Sequence, residues 1–200
     1  PQAVTFNVVE ASIADMQDAL AAGRVTSRDL VAAYMARIAQ YEPVLNATIN
    51  VNLNAYSEAD DLDRERQQGR LRGPLHGIPI AVKDILNTTF MPTTGGALAF
   101  AGYTPPYDST VVRNLRAAGA IIIAKTNMDE MAQSVRGFST VGGQILNPYN
   151  LAKNPGGSSG GTGVAVAAAF ATVGLGTETG VSVRSPAANN ALVGVVPSRG

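Results

Sequence analysis

The sequence predicts a layered α/β fold, because buried strand-like runs alternate along the chain with amphipathic helices. The runs Ile78–Val82 and Ile121–Ala124 are short, apolar and rich in β-branched residues, which is typical of strands covered on both faces. With 200 residues, 46% of them hydrophobic and only 15% charged, the chain is long and apolar enough to bury a sizeable core. This composition excludes an intrinsically disordered protein.

The part of the chain before the first buried strand is predicted to be mainly helical. Ser12 and Asp15 form a capping-box pattern that starts a helix ending at Gly23. A second helix is expected from Ser27 to Tyr41, closed by Pro43, which cannot continue it. Two further elements follow, a short strand over Ala47–Asn52 and a charged helix over Ala55–Gln68.

The second half is predicted to place one helix, Ser109–Ala118, directly before the strand Ile121–Ala124. A loop-rich stretch over Gly137–Pro155 follows. The Ala-rich segment Val164–Val173 has almost no polar face, so we expect a central helix that is buried all round.

Composition and charge exclude several classes of function. The 15 basic and 15 acidic residues balance, which argues against broad electrostatic capture of nucleic acid or an anionic membrane. No apolar run reaches the roughly 18 residues of a transmembrane helix. The absence of cysteine excludes thiolate nucleophiles and Cys-built zinc sites, and a single histidine, His76, excludes a histidine-rich metal cluster. A hydrolase built on this chain is therefore expected to use a base other than histidine.

The segment Gly156–Gly161 reads Gly-Gly-Ser-Ser-Gly-Gly and precedes a predicted helix, a pattern that brings backbone N–H groups close to a ligand. It lacks the Lys of a phosphate-binding P-loop and the third glycine of a dinucleotide fingerprint. Gly156-x-Ser158-x-Gly160 matches a nucleophile elbow, but a turn-like stretch rather than a strand precedes it, and no histidine follows within these 200 residues. A plain flexible turn is the alternative.

Lys83 ends the strand Ile78–Val82 and is followed by Asp84, which strand alternation places on the opposite face. Burial would lower the pKa of such a lysine and produce a neutral amine able to act as a base. A paired or snorkelling lysine is the alternative. A third segment, Gly176–Pro186, places Ser182 after a tight glycine turn, with Arg184 two residues further on.

Together these segments resemble the amidase signature family of Ser–cis-Ser–Lys amidohydrolases, and the peptide-amidase-like members most. The resemblance covers nearly the whole chain and rests on four segments in order, which are Gly73–Asp84, Ala124–Glu130, Gly156–Gly161 and Gly176–Pro186. It implies a layered α/β/α fold with a central mixed sheet. Because members of the family continue well beyond this length, residues 1–200 are expected to be the N-terminal part of one domain.

The resemblance also implies the roles of the site residues. Ser182 would be the nucleophile, Ser158 the bridging serine in a cis peptide and Lys83 the terminal base. Backbone N–H groups of Thr179, Gly180 and Val181, with that of Ser182, would form the oxyanion hole. The elbow match then becomes a coincidence, and no cofactor or metal is implied. His76, Ser159 and Arg184 are expected to have structural roles.

Val181 departs from the family, since many members have glycine at this position. A requirement for positive φ would strain valine and alter the oxyanion hole, whereas an ordinary φ would leave its N–H in place.

Three functions stay open at this point. The first is a stand-alone amidase acting on a small-molecule or peptide amide, which the segment Gly142–Tyr149 favours. The second is the glutaminase subunit of a tRNA-dependent amidotransferase, which Thr126–Glu130 would suit, and the third is a non-catalytic homologue disabled by Val181. No nucleic acid partner and no membrane span are expected, a homodimer stays open, and a cytoplasmic location is slightly favoured over processed export.

Overall fold

A computed structural model describes residues 6–198 and shows helices packed on a mixed β-sheet. Its α-helices are α1 (Ile13–Ala21), α2 (Ser27–Leu45), α3 (Ala55–Gln67), α4 (Thr110–Ala117), α5 (Gly160–Ala167) and α6 (Arg184–Asn189). Its strands are β1 (Thr48–Val51), β2 (Pro79–Lys83), β3 (Ile121–Thr126), β4 (Phe138–Ser139), β5 (Gly143–Gln144) and β6 (Gly174–Leu175). The main sheet has the order β1-β3-β2-β6, and β4 and β5 form a separate hairpin.

Strands β2 and β3 are the centre of the sheet and are buried along their whole length. They run parallel, as does β6 beside β2, whereas β1 is antiparallel to β3. The β2–β3 register pairs Lys83 with Thr126, so the carboxyl ends of both strands meet at one edge. This edge is where ligands bind in open α/β sheets.

Both N-terminal helices begin as their sequences predict, since Ser12 and Thr26 each form a complete capping box with the aspartate three residues later. The predicted end of α2 is wrong, because the helix continues through Pro43 to Leu45. Proline removes only one helical N–H donor in this last turn. Asn46 then ends the helix in a left-handed conformation, and the Glu42 carboxylate accepts the next two N–H groups at 3.0 and 2.8 Å.

The central helix α5 is buried as predicted, but its bounds differ from those expected. It begins inside the glycine segment at Gly160 and ends at Ala167, after which Ala169 has a positive φ of 53°. The early start has a packing cause. A Cβ on Gly161 would lie 2.4 Å from the carbonyl oxygens of Ala47 and Asn127, so the first turn of α5 can approach these backbones only as glycine.

Four short elements lie where the sequence analysis predicts no helix or strand. The hairpin of β4 and β5 lies inside the stretch Gly137–Pro155, and β6 and α6 flank the predicted nucleophile. His76 has the structural role expected of it. It is buried, donates from Nε2 to the Leu62 carbonyl at 2.9 Å and accepts the Arg72 N–H at Nδ1 at 3.2 Å.

Gly161→Ala tests this packing directly. We expect the added methyl to lower the free energy of unfolding of the full-length protein by about 3 kcal/mol, because backbone atoms cannot yield as a side chain can. Urea denaturation measures the change. Gly69→Ala is the control, since Gly69 has a positive φ but nothing within 4 Å, and it should cost only about 1 kcal/mol. Equal losses in the two variants would contradict the packing explanation.

Candidate active site

Lys83 lies at the carboxyl end of β2 with its side chain completely buried. Its Nζ is 2.6 Å from Ser158 Oγ, 2.9 Å from Thr177 Oγ1 and 3.4 Å from the Thr177 carbonyl oxygen. Asp84 points to the opposite face, where its carboxylate forms an ion pair with buried Lys125 at 3.2 Å. The strand therefore separates the two neighbours in sequence, and Lys83 has hydroxyl and carbonyl partners instead of a paired carboxylate.

Burial lowers the pKa of Lys83 from 10.5 to about 8, against a smaller opposing influence of the Asp129 charge. Removal from water disfavours the ammonium form, and neutral oxygens compensate it only partly. A substantial fraction of Lys83 is consequently a neutral amine at mildly alkaline pH.

Ser158 follows a cis peptide bond from Gly157 and is itself buried. Its carbonyl oxygen accepts the Asp129 N–H at 3.0 Å. A Cβ on Gly157 would lie 1.8 Å from Asp129 Oδ2, so the Asp129 carboxylate occupies the space next to this peptide. Ser158 is thus held between Lys83 on one side and Asp129 on the other.

The segment of Ser182 is joined to the segment of Ser158 through backbone contacts. The N–H of Ser159 donates to the Ser182 carbonyl at 3.1 Å, and the Ser159 hydroxyl bonds with the N–H and carbonyl of Thr177, both at 3.3 Å. Ser182 is half-buried. Within residues 6–198 no hydrogen bond joins the hydroxyls of Ser158 and Ser182, so the structure brings Lys83 and Ser158 together and places Ser182 on the adjoining loop.

Glu178 and Arg184 fix the two ends of that loop. The Glu178 carboxylate accepts the N–H groups of Val183 and Arg184 at 2.7 and 2.9 Å and pairs with Arg184 Nε at 2.6 Å. The guanidinium of Arg184 also donates to the Gly180 carbonyl. These contacts lower the pKa of Glu178, with the Arg184 N–H as the largest cause. Arg184 therefore ties the loop to itself, as expected from the sequence.

The backbone N–H groups of Thr179, Gly180, Val181 and Ser182 form no hydrogen bonds within the described part of the chain. Thr179, Gly180 and Val181 are exposed, so these donors are available to a ligand oxygen. Val181 does not have a positive φ. The strain considered for valine at this position is therefore absent.

Two residues near Lys83 escaped the site prediction. Thr177 contacts the amine directly, and Asp129 contacts the Ser158 peptide. Both lie in segments that the resemblance singled out, Gly176–Pro186 and Ala124–Glu130. Their location in those segments was the one sign in the sequence that they could belong to the site. Their contacts with Lys83 and Ser158 are visible only in the fold.

Among residues 6–198, no group of three His, Cys, Asp or Glu side chains is placed to hold a metal ion. The helices in the same range are too short or too polar to cross a bilayer.

The chain is similar to known proteins. The family model described as Amidase matches residues 29–200. The chain belongs to the amidase family. It is 42% identical over 190 residues to a Glutamyl-tRNA(Gln) amidotransferase subunit of Rhodopirellula baltica, covering 94% of this chain and 38% of that protein. The same-named subunit of Symbiobacterium thermophilum is 46% identical over 181 residues, covering 90% and 37%.

The solved structure of native peptide amidase from Stenotrophomonas maltophilia is also similar. It superposes with a TM-score of 0.87 at 46% identity, over 90% of this chain and 39% of that one. The predicted amidase fold, with helices layered on a central mixed sheet, is confirmed. The chain spans less than two-fifths of the length of these relatives.

Lys83→Met tests the burial of the amine through stability. Because the folded pKa of Lys83 is about 8 and its ordinary value is 10.5, unfolding takes up a proton between these pH values. Burial of the charged amine therefore lowers the stability of the protein by its full amount below pH 8, and this loss of stability disappears as the pH rises past 10.5. The pKa difference corresponds to about 3 kcal/mol, and the loss of the hydrogen bonds of the amine offsets about 1 kcal/mol of it. We therefore expect Lys83→Met to raise the free energy of unfolding of the full-length protein by about 2 kcal/mol at pH 7.

Urea denaturation at several pH values measures this difference between Lys83→Met and the unaltered protein. Lys153→Met is the matched control, because Lys153 is exposed and its substitution should leave the pH dependence unchanged. A difference that stays constant up to pH 10.5 would contradict the lowered pKa.

Proposed function

We propose that the protein is an amidohydrolase that cleaves a carboxamide C–N bond through a serine acyl-enzyme. The observation that carries the proposal is the buried contact of 2.6 Å between Lys83 Nζ and Ser158 Oγ. Together with the lowered pKa of Lys83, this contact supplies a base already bonded to a hydroxyl. Ser158 then connects that base to the nucleophile Ser182.

The partners of Lys83 suit a neutral amine acting as base. A neutral amine has two N–H hydrogens and one lone pair. The two hydrogens can be donated to Thr177 Oγ1 and the Thr177 carbonyl oxygen, at 2.9 and 3.4 Å. The lone pair is left for the proton of Ser158, at 2.6 Å. Lys83 would accept this proton while Ser158 takes the proton of Ser182, and the Ser182 oxygen attacks the amide carbon.

Ser182 must come within hydrogen-bond reach of Ser158 when substrate binds. Catalytic hydrogen bonds are often long in an unliganded enzyme and tighten in the complex. The Ser159 N–H bond to the Ser182 carbonyl at 3.1 Å already ties the two segments together. Only a local adjustment of the Ser182 side chain or loop is then required.

The carbonyl oxygen of the substrate becomes an oxyanion in this step. The N–H groups of Thr179, Gly180 and Val181, with that of Ser182, are proposed to stabilise it, since they lack partners in the described residues. Loss of one such donor costs about 2.7–4 kcal/mol in a well-studied protease. The proton held by Lys83 then returns through Ser158 to the leaving nitrogen, and ammonia or an amine departs. Water repeats the sequence and releases the acid.

For the substrate, a small-molecule or peptide amide is the first candidate, supported by the 46% identity to a peptide amidase. The second candidate is the role of a glutaminase within a tRNA-dependent amidotransferase, supported by 42% identity to a protein of that kind. Turnover of C-terminally amidated peptides by the protein alone would favour the first. Glutamine hydrolysis that requires a partner protein would favour the second.

Ser182→Ala and Ser158→Ala separate the roles of the two serines. A fluorophosphonate probe should label the full-length protein at Ser182, and Ser182→Ala should abolish labelling and reduce ammonia release at least about 10⁴-fold, because the nucleophile is lost. Peptide mapping by mass spectrometry and an ammonia assay with a panel of amides measure these effects. Ser57→Ala, at an exposed serine on α3, is the control. Full activity in Ser182→Ala would sink the proposal, and labelling at Ser158 would restore the elbow interpretation.

The pH dependence of kcat/KM tests the base. Since Lys83 must be neutral and its pKa is about 8, the rate should rise with pH to a half-maximal value near pH 8. Initial rates with one amide substrate across this range measure the profile. A rate that is independent of pH between about 6 and 9 would exclude an amine with this pKa as the base.

A further inference from the structure

Asp129 is a buried carboxylate beside the proposed relay that the mechanism does not use. Its N–H donates to the Ser158 carbonyl at 3.0 Å, and its Oδ2 lies where a Cβ of residue 157 would be. Its Oδ1 accepts the N–H groups of Arg136 and Gly137 at 2.9 and 3.0 Å. The loop from Asp129 to Gly137 therefore holds the carboxylate against the Gly157–Ser158 peptide.

The neighbouring acidic groups are all directed away from Lys83. On the opposite face of β2, Asp84 is paired with Lys125, and on the nucleophile loop Glu178 is paired with Arg184. The Glu130 carboxylate accepts the hydroxyl of Thr140. The groups bonded to Lys83 from the segment before α5 and from the loop after β6 are neutral, and they belong to Ser158 and Thr177.

Asp129 differs from Asp84 and Glu178, because no cation is paired with it in the described part of the chain. Within residues 6–198 its carboxylate is bonded only to backbone N–H groups and belongs to no ion pair. Backbone donors stabilise a carboxylate without cancelling its full charge. Its charge therefore acts on Lys83 within the buried interior that contains both side chains.

We propose that Asp129 is a positioning residue of the relay, which holds the Ser158 peptide through its N–H and provides an uncompensated negative charge against that peptide, where it acts on Lys83. This inference rests on the proposed function, since it assigns Asp129 to the same site. The charge has two opposite consequences. It stabilises the ammonium that forms when Lys83 takes the proton, and it reduces the fraction of neutral amine available beforehand. The Asp129 charge accordingly raises the pKa of Lys83, against the larger effect of burial.

Asp129→Asn separates charge from structure. The amide oxygen can take the place of Oδ1 and keep both of its N–H donors, so the charge and the second contact of the Gly137 N–H, with Oδ2 at 3.0 Å, are lost. We expect the pKa of Lys83 to fall by about one unit, and the acid limb of the kcat/KM profile with it. The rate at the alkaline plateau should fall up to about tenfold, because a weaker base accepts the proton less readily.

Asp108→Asn is the matched control. Asp108 also accepts a backbone N–H, from Thr89 at 2.7 Å, but it pairs with Arg116 and is not among the groups that affect the pKa of Lys83. Its loss should leave the pH profile unchanged. A plateau that falls in Asp129→Asn with no movement of the acid limb would overturn the proposal, because damage to structure alone gives that result.

The pKa of Lys83 is also measurable without turnover, by NMR of lysine labelled with ¹³C at Cε and assigned with Lys83→Met. A lysine signal that titrates near pH 8, and one unit lower in Asp129→Asn, supports the inference even if no amide is hydrolysed. An unchanged titration overturns it even if the enzyme is active. If Asp129→Asn does not fold, the carboxyl ¹³C signal of Asp129 in the unaltered protein should change with the titration of Lys83, and a silent signal would contradict the proposal.

Discussion

The buried contact between Lys83 Nζ and Ser158 Oγ requires three separate parts of the chain to meet at one edge of the sheet. Strand β2 supplies the amine, the glycine-rich segment before α5 supplies Ser158, and the loop after β6 supplies Thr177. Each can approach the others only because small residues or hydroxyls lie at the junction. Burial at this junction destabilises the charged form of the Lys83 amine, and the pKa of Lys83 is lowered as a result.

The glycines near the site serve mainly close packing. At Gly157 a side chain would overlap the Asp129 carboxylate, at Gly161 two carbonyl oxygens, and at Gly176 the Ser159 hydroxyl at 2.7 Å. Polar groups fill these spaces, and they form hydrogen bonds with the backbone around the site. A segment that resembles a flexible turn in sequence is therefore a rigid junction in the fold, with α5 starting inside it.

The sequence was sufficient for the α/β class, most helix starts and the alternation that separates Lys83 from Asp84, because these depend on local periodicity and capping. The start of α5 was not predictable in this way, since glycine disfavours a helix unless another backbone lies against it, as Asn127 does at Gly161. Asp129 and Thr177 were also missed, because their importance depends on contacts across the fold. The roles of Lys83, Ser158 and Ser182 came from family resemblance, and periodicity alone would have left a paired lysine and a plain turn as alternatives.

The placement of charge around the relay explains how a protein with few charged residues maintains a responsive base. Asp84 and Glu178 each lie next to a residue of the site in sequence, yet each is neutralised by a cation, Lys125 or Arg184. Without these cations, the negative charges of the two acids would add to that of Asp129. Together they would raise the pKa of Lys83 and keep it protonated. With those acids paired, burial sets the pKa of Lys83, and a single carboxylate bonded only to backbone N–H groups remains to adjust it. In the proposed mechanism, the strength of Lys83 as a base can thus be changed through one side chain, that of Asp129.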